Sequence, residues 1–570
     1  MEDSRASLGT GATNPLGRIA ASIFHQGAVD ISFQACCDIP NGGVLLALPA
    51  LLATGLLCHI GEFFKIPSGY YGIESIFIVL AFMALARIKN VEKLRFCPPG
   101  EWGKLLGLDR IPEAQTLRKK VAIISSTEAI PWGAKLCSDW ISEIPDPVGT
   151  FYVDGHVRVY YGSQTKLPRH YVARQRLCLR ATTDYWINAM DGNPFMVITQ
   201  DVDPGLLQVL ENEVVPFLEK EFPCQGTLED WIRENPLKHR FSIIFDREGY
   251  SPQFFLKMKK TGIACLTYHK YPKEDWPEKE FKTCKIKLVS GEEVKMSLAE
   301  RGTFIGGQLW VREIRKLSEG GHQTSIITTD FCSEAVNIAP TMFARWSQEN
   351  FFKYMRENYN LDRIIDHQTE DVPDTVKVTN PAYRDYSSKI RGKSATLSRR
   401  TAAFGALNLV DEISEKSVAK YEKEKAKLKE EIESLDFELE KLKKERKGIA
   451  KHILLSDLPK DEQFKRLSVN SKHFIDTIKM IAYRSETGMA NVLREKMSRP
   501  QEVRSLLKAI YTSEVDIIPD YKKNILVVSL HHLGSKREDE AVQHLCNELN
   551  LTETKFPGTN LQISYKLGSS

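Results

Sequence analysis

The chain has 570 residues and a formal net charge of only +4 at pH 7. Its length predicts three or four domains, and its composition, with 42% hydrophobic and 27% charged residues, is that of a soluble protein. The charge is too small for composition alone to indicate a nucleic-acid partner. Eleven scattered cysteines without Cys-x-x-Cys or Cys/His zinc spacing exclude a structural zinc motif and predict a reduced, intracellular protein.

Residues 1–125 are expected to form a helical N-terminal DNA-binding domain. No basic segment leads into an apolar run at the N-terminus, so no signal peptide is predicted. The apolar runs 44–60 and 76–86 are shorter than the ~18–20 residues of a membrane span, which favours buried helices and predicts no membrane association.

A helix, a short turn and a basic helix follow one another between residues 101 and 120. This order is typical of a helix-turn-helix that binds DNA, and equally of two packed helices with a solvated basic face. In the DNA-binding interpretation, phosphates are contacted by three consecutive residues, Arg118, Lys119 and Lys120.

The segment 145–360 is predicted to be an α/β domain. A short β-prone run at 151–153 is followed by Asp154, and 157–161 is expected to pair with that run as a hairpin. Further elements follow in order, with strands at 176–181, 194–199, 241–245 and 263–268, and helices at 203–222 and 251–262. Several strands followed by alternating helices and strands predict a mixed sheet with helices on its faces.

Two aspartates stand at the ends of predicted strands. Asp154 follows the first strand, and Asp246 follows the strand after the first helix. If these strands are neighbours, both carboxylates emerge at the sheet edge where ligands of α/β proteins usually bind. Taken singly, each aspartate is also a common turn residue at a strand end.

A β-rich insertion is predicted at about 270–325. Apolar and polar residues alternate there between glycine-containing breaks, which is typical of a small antiparallel sheet. Trp310 lies in this insertion. It is a candidate for stacking on an unpaired base, although packing in a core is the commoner role of a large aromatic side chain.

A helix is predicted to begin at Pro340 and to continue without a breaker for about five turns. At 100° per residue, four of its residues fall within an arc of roughly 60°: Met342, Arg345, Glu349 and Arg356. The helix thus holds one carboxylate in line with two guanidinium groups. Together with Asp154 and Asp246, Glu349 would complete a site of hard oxygen ligands suited to Mg²⁺.

With these residues in place, the chain resembles bacterial insertion-sequence transposases of the DDE type, which have an RNase H-like catalytic core. More narrowly, it is similar to the insertion-sequence-four family, whose glutamate region follows a β-rich insertion and reads Tyr, two residues, Arg, three residues, Glu, six residues, Lys. Arg345 and Glu349 match this pattern in type and spacing, whereas Met342 replaces the Tyr and Arg356 replaces the Lys. The resemblance covers about residues 145–360.

The resemblance implies DNA cleavage and strand transfer with two Mg²⁺ ions, for which Mn²⁺ substitutes. Asp154 would bridge both ions, Asp246 would hold one and Glu349 the other. One ion would activate water or align a DNA 3′-OH, and the other would stabilise the leaving oxygen. Arg345 and Arg356 would contact phosphates of the transposon end.

The partners implied by the resemblance are the double-stranded DNA of the element ends and of the target. Pairing of two ends implies a dimer in the synaptic complex. The implied location is the bacterial cytoplasm, in association with the nucleoid.

The C-terminal third is predicted to begin with a basic linker at 361–410, which either tracks DNA or is simply solvated. Within 411–485, apolar residues at heptad spacing form a short seam: Leu428, Ile432, Leu435, Leu439 and Leu442. The seam predicts an intermolecular coiled coil or an intramolecular hairpin with residues 460–485, and its shortness favours the hairpin.

A small α+β domain is predicted at 486–570. Its expected strands are 524–532 and 561–565, and its expected helix is 538–549.

Three other functions stay open beside the active transposase. Met342 favours a catalytically retired, transposase-derived DNA-binding protein. Another nuclease with an RNase H-like core is an alternative, because that fold hosts several polynucleotide reactions. A structural coiled-coil protein is the third, and it leaves the three acidic residues unexplained.

Overall fold

The computed structural model describes residues 28–67, 69–126, 128–143, 149–161, 167–172, 175–199, 204–224, 226–288, 293–343, 346–361, 369–370, 377–407, 415–459, 466–467, 469–497 and 500–568, together with residue 19. The chain divides into two compact units. The large unit comprises Met1–Tyr160, Arg169–Gln368 and Ser468–Ser570, and the small unit comprises Tyr161–Pro168 and Thr369–Leu467. The predicted mixed α/β fold is confirmed.

The first part of the large unit is mainly helical. Its elements are strand β1 (Cys36–Ile39) and helices α1 (Leu48–Ala53), α2 (Ile60–Phe63), α3 (Ile73–Leu85), α4 (Pro99–Lys104), α5 (Ala114–Ser125) and α6 (Ala129–Ser142), with 3₁₀ turns at Gly42–Ala47 and Val91–Phe96. Residues 75–83 of α3 are all buried, so the prediction of a buried helix there is confirmed. In the described part of the chain, no helix is long and apolar enough to cross a membrane.

A ten-stranded sheet dominates the large unit. Its strands are β2 (Gly149–Val159), β3 (Arg169–Val172), β4 (Leu177–Ala189), β5 (Pro194–Thr199), β6 (Phe241–Phe245), β7 (Ile263–Tyr268), β8 (Lys282–Lys287), β9 (Glu293–Ile305), β10 (Leu309–Leu317) and β11 (Gln323–Thr328). The order is β3-β4-β2-β6-β7-β11-β10-β9-β8, with β5 paired to β4. β6 is parallel to both β2 and β7, and the other described pairings are antiparallel.

The hairpin expected within 151–161 is wrong. β2 is one continuous strand that runs through Asp154, and its antiparallel partner is β4. The Asp-Gly pair at 154–155 is a local turn signal, but Gly155 is held against the ring of Tyr185, where an added Cβ would lie 3.2 Å from the ring. Long-range pairing therefore overrides the local preference.

The predicted β-rich insertion is confirmed as antiparallel, but it does not form a sheet of its own. β11 pairs with β7 through Ile326 and Tyr268, and β10, β9 and β8 follow outward in turn. The insertion therefore extends the large sheet on the side of β7.

Helices cover both faces of the large sheet. They are α7 (Leu206–Val209) and α8 (Val215–Glu221), joined by a π-helical turn at Leu210–Val214, then α9 (Leu228–Glu234), α10 (Pro252–Lys260), α11 (Ala335–Phe343) and α12 (Trp346–Tyr359). Phe222, at the end of α8, packs on Phe151, and Phe254 of α10 packs on Phe245. α11 and α12 lie on the opposite face, where Tyr152 and His156 contact them.

The single helix expected to start at Pro340 is replaced by α11 and α12, and residues 344 and 345 lie outside the described residues. Pro340 is inside α11, not at its start. Ile338 and Met342 of this helix are buried in one cluster with Tyr152 of β2. Burial of this apolar face outweighs the hydrogen bond that a proline removes from a helix.

The small unit contains a long helical hairpin. Its elements are β12 (Thr369–Glu370), β13 (Lys377–Thr379), α13 (Pro381–Ala406), α14 (Glu415–Lys447), β14 (His452–Leu454) and β15 (Arg466–Leu467). The partner of α14 in this hairpin is α13, which comes from the segment expected to be a linker and not from residues 460–485. Aromatic residues, not aliphatic ones, supply much of the apolar face of α13, so the segment 381–406 lacks the leucine periodicity that predicts a helix.

The last part of the chain returns to the large unit. Its elements are α15 (Val469–Arg494), α16 (Pro500–Thr512), β16 (Val515–Asp520), β17 (Ile525–Leu530), α17 (Lys536–Asn550) and β18 (Gln562–Leu567). The expected pairing of residues 460–485 with α14 is wrong, because residues 471–483 of α15 are all buried inside the large unit. The strands and helix predicted within 524–565 are confirmed.

The two ends of the chain share one sheet, with the order β1-β16-β17-β18. β1 pairs antiparallel with β16, and β17 is parallel to β18. The separate N-terminal and C-terminal domains expected from the sequence are therefore parts of the large unit.

Candidate active site

The strand register places Asp154 and Asp246 beside each other. β2 and β6 are parallel and their pairing runs to Val153 and Phe245, so the two aspartates are the next residues on neighbouring strands. Asp246 is still extended, with φ −79° and ψ 171°. Neighbouring strands lie ~4.8 Å apart, so the two half-buried aspartates lie side by side at the point where β6 ends.

Each aspartate accepts a hydrogen bond from the backbone that follows it. Asp154 Oδ1 accepts from Gly155 N at 2.9 Å. Asp246 Oδ1 accepts from Arg247 N at 2.6 Å and caps the 3₁₀ turn Arg247–Gly249. These bonds fix the direction in which each carboxylate points.

Two neighbours of Asp154 on the same face of β2 contact α11 and α12. The Tyr152 hydroxyl donates to the carbonyl of Thr341 at 2.5 Å. The His156 ring stacks on Phe352, with 5.0 Å between ring centroids and 8° between planes. Asp154 lies between Tyr152 and His156 along the strand, because alternate residues share a face.

Glu349 therefore belongs to a stretch of chain whose two ends are fixed on either side of Asp154. It lies in the first turn of α12, three residues before Phe352, and its side chain is outside the described residues. Arg345 is also outside them. Arg356 follows two turns later on the same helix, half-buried, and its Nε donates to the carbonyl of Phe352 at 3.3 Å.

An exposed cation stands directly beside the aspartate pair. Arg247 follows Asp246, and its guanidinium lies 5.3 Å from the centre of the Tyr268 ring at the end of β7. A cation–π contact of this kind holds the side chain over the sheet edge.

A buried carboxylate orders the loop after β7. Glu313 accepts from Arg315 Nε and from Ser325 Oγ, each at 2.8 Å, and lies 3.4 Å from His269. Burial alone would raise the pKa of Glu313, but these partners outweigh burial and bring the pKa to about 2. The carboxylate is therefore charged at neutral pH and ties β10, β11 and the residue after β7 together.

Further along the Asp154 face, β2 and β4 are joined to α15 by buried charges. Arg158 Nε lies 2.5 Å from Asp184, and its Nη2 donates to Asp476 at 2.5 Å. Lys472 also contacts Asp184. All four side chains are almost completely buried, so this cluster has a structural role and is not open to substrate.

A second buried carboxylate holds α12 in place. Glu486 of α15 is fully buried, with Arg87 at 2.7 Å and Arg504 at 3.4 Å. It also accepts hydrogen bonds from the hydroxyls of Tyr354 and Tyr359, both on α12. Burial would raise the pKa of Glu486, but the two guanidinium groups and the hydroxyls hold it below its usual value. The helix that carries Glu349 is thus anchored at its C-terminal half.

The three basic residues proposed for DNA binding near the N-terminus lie on α5. Arg118 is paired with Glu92, and Lys120 Nζ donates to the carbonyl of Pro67 at 3.2 Å. Lys119 is exposed. Two of the three therefore already have partners within the protein.

Trp310 is not a core residue, contrary to the commoner role of tryptophan. It is 46% exposed and packs edge to face on Phe304, which is 62% exposed. It projects from the same sheet face as Asp154. However, the register places Ile314, four residues further along β10, level with Asp246. Trp310 is therefore not brought next to the aspartate pair.

A different cluster in the described part of the chain has metal-ligand spacing: Asp38, Asp516 and His531 place one ligand atom each within 4.8 Å of one another. His531 Nε2 lies 3.1 Å from Asp516 Oδ1. A hydrogen bond between an imidazole and a carboxylate is sufficient to explain this group.

The sequence pattern did not single out Phe352 or Glu486, and it gave His156 no role. One feature of the sequence indicates that His156 is near the site: it stands two residues after Asp154 and so lies on the same face of the strand. Glu486 has no such feature, because a single acid in a long helix is usually solvent-exposed.

A comparison of the whole sequence with protein families identifies its class. Residues 9–569 match the family described as "Transposase protein". Because the match covers nearly the whole chain, the protein belongs to this transposase family. No curated protein matches the sequence.

Proposed function

We propose that the protein is a DDE-type transposase of the insertion-sequence-four kind, in which Asp154, Asp246 and Glu349 form one catalytic site on an RNase H-like core. The observation that carries this proposal is the pairing of β2 with β6, which makes the two aspartates neighbours. Two contacts support Glu349 as the third residue of the site: Tyr152 with Thr341, and His156 with Phe352. Thr341 and Phe352 stand on either side of Glu349 in the sequence, and Tyr152 and His156 stand on either side of Asp154 on β2.

The residues fit a divalent cation with a preference for oxygen ligands. Both aspartates are half-buried carboxylates from neighbouring strands, and the proposed third ligand is a carboxylate from a different element. Mg²⁺ takes such ligands and keeps some positions for water and phosphate. When bound, two such ions supply an activated water or 3′-OH and stabilise the leaving oxygen.

The protein groups have separate tasks in this proposal. Asp154, placed in the middle of a strand and fixed by the contacts on either side, would bridge the two cation positions. Asp246 would hold one position, and Glu349 the other. Arg345, Arg356 and Arg247 would contact DNA phosphates, and Arg247 is the one whose exposed position beside Asp246 is described.

Double-stranded DNA of the element ends and of the target is the proposed substrate. Cleavage followed by strand transfer joins two ends to one target. We therefore propose that two copies of the chain act together in the complex that pairs the ends.

A cleavage and strand-transfer assay on linear DNA carrying the gene's own flanks tests the proposal. Wild type is compared with Asp246→Asn and Glu349→Gln, with and without Mg²⁺, and DNA binding is measured for each. We expect products from wild type with metal only, a loss of at least ~10³-fold in both variants, and unchanged binding. Glu229→Gln, at an exposed acid of α9, is the control and is expected to cleave normally.

Each other outcome has a defined meaning. Cleavage retained by Asp246→Asn contradicts the assignment of the site. DNA binding without cleavage by wild type contradicts an active enzyme and favours the retired DNA-binding protein.

A further inference from the structure

The face of α13 that points away from α14 in the small unit carries three exposed arginines. Seven exposed residues, here named the outer stripe, recur there at helical spacing: Arg384, Ser388, Arg391, Ala395, Ser398, Arg399 and Ala402. At 100° and 1.5 Å per residue, the three arginines fall within about 80° of arc and extend over about 22 Å of the helix.

The rest of α13 is occupied by packing against α14. Ile390 and Leu439 are buried at the seam. The cations beside the seam have acidic partners: Lys393 lies 2.5 Å from Glu438, and Arg400 lies 3.0 Å from Glu431. The seam and these pairs join the two helices, and no residue of the outer stripe is among them.

Arg391 and Arg399 differ from Lys393 and Arg400 in their partners. Within the described residues, neither has a carboxylate within salt-bridge distance. Arg391 Nε donates to the carbonyl of Ser387 at 3.4 Å, and Arg399 Nε donates to the carbonyl of Ala395 at 3.3 Å. Arg399 Nη2 also donates to Thr396 Oγ1 at 3.3 Å. All three contacts are to neutral groups of the same helix, so no acid among the described residues balances either positive charge.

The composition of the two helices separates this stripe from an ordinary solvated surface. α14 has eleven basic and ten acidic residues, and ten of the eleven basic residues are lysines. α13 has four arginines, two lysines and one acid, Asp385, which is paired with Lys389 at 2.8 Å. Solvent-exposed helices without a charged ligand usually mix basic and acidic residues, as α14 does.

We propose that the outer stripe binds the phosphate backbone of duplex DNA. The planar guanidinium group matches a phosphate with two parallel hydrogen bonds, and Ser388 and Ser398 supply hydroxyl donors of the kind that contact phosphates. The alanine and serine side chains between the arginines are short, so the helix backbone can approach DNA closely. This surface holds DNA without contributing to the chemistry, and its role does not depend on the acidic site.

The test measures binding of the full-length protein to a duplex, by fluorescence anisotropy, over a range of salt concentrations in the presence of a chelator. The key variant is Arg391→Gln/Arg399→Gln. Loss of two phosphate contacts is expected to lower the slope of log K against log[salt] by about 2 and to weaken binding at least ~10-fold near 0.1 M salt.

A matched control removes the same charge from the other helix. Lys423→Gln/Lys427→Gln changes two exposed lysines of α14, the helix in which basic and acidic residues are mixed. We expect its slope and affinity to equal those of wild type. Arg391→Lys/Arg399→Lys is expected to keep the slope and to lose affinity severalfold, because lysine lacks the fork geometry.

Three results would overturn the inference. They are an unchanged slope in the arginine variant, an equal loss in the lysine control, and an equal loss for single-stranded RNA of the same length. Circular dichroism of each variant shows whether the hairpin is intact, and a variant with altered helicity is replaced by single substitutions. Because this binding assay contains a chelator and measures no cleavage, a negative result in it would contradict the inference about the outer stripe and leave the proposed catalysis untouched.

Discussion

His156 stacks on Phe352, and this one contact joins the strand of Asp154 to the helix of Glu349. The histidine follows Asp154 by two residues, and the phenylalanine follows Glu349 by three. Phe352 also meets the Trp186 ring edge to face, with 6.4 Å between centroids. Trp186 is the cross-strand partner of Asp154. The separation between the two proposed metal ligands therefore depends on how these rings pack.

Phe352→Ala tests that dependence. Loss of the ring lets α12 shift against β2, and a displacement of ~1 Å in a catalytic group is enough to cost ~10²-fold in rate. We expect single-turnover cleavage to fall at least ~10-fold while DNA binding is retained. Phe437→Ala, at a 74% exposed ring of α14, is the control. Normal cleavage by Phe352→Ala would show that the stack does not position the site.

Glu486→Gln tests the anchor at the other end of α12. The variant leaves the guanidinium groups of Arg87 and Arg504 without a buried counter-charge. Breaking a buried ion pair in this way costs about 3–5 kcal/mol, so urea unfolding is expected to show a loss of that order. Glu433→Gln, on an exposed acid of α14, is expected to unfold like wild type. A loss no larger than that of this control would mean that the charge of Glu486 does not stabilise the helix.

Substitutions at Trp310 and at Gly302 are expected to have the same effect on DNA binding. Trp310→Ala removes an exposed ring, and Gly302→Ala displaces it, because the added Cβ would lie 1.9 Å from the indole. If the ring stacks on an unpaired base, both variants should weaken binding to DNA with a single-stranded end by about 10-fold and leave duplex binding unchanged. The control is Leu551→Ala at another exposed position. Equal affinity of all four proteins would end the stacking hypothesis.

His473 predicts a pH dependence of stability. Burial lowers its pKa from 6.5 to about 4 in the folded protein. The unfolded chain therefore binds the proton first, so the stabilisation is complete above pH 6.5 and is lost as the pH falls towards 4. The shift corresponds to at most about 3 kcal/mol. Urea unfolding at several pH values should show a smaller loss on acidification for His473→Gln than for wild type, and parallel curves would contradict this.

The position of Asp246 can be predicted from the sequence because its signals are local. The strands at 241–245 and 263–268 are short apolar runs with clear ends, so Asp246 was placed correctly at the end of β6. Asp154 was chosen for a wrong reason, since β2 continues past it. The register that joins β2 to β6 is a long-range property, and no local pattern specifies it.

Other features of the fold and of the candidate site depend on tertiary contacts, which produce no periodic pattern in the sequence. α13 was not predicted as the partner of α14, because its apolar face includes Tyr383, Tyr386 and Phe404 and lacks a leucine seam. Pro340 suggested a helix start, although its neighbours are buried against Tyr152. The roles of Glu486 and Phe352 follow only from where the chain places distant residues.

The pairing of β1 with β16 determines when the large unit can be completed during synthesis. Ile39 pairs with Val515. Val515 is synthesised roughly 480 residues after Ile39, which takes about 25–100 s at usual elongation rates. Until then β1 has an unpaired edge. A chain interrupted by a premature stop codon, or by a ribosome that stalls, lacks the last strands of this sheet and cannot close it. A chain that ends before Val515 therefore leaves β1 without the strand that it pairs with.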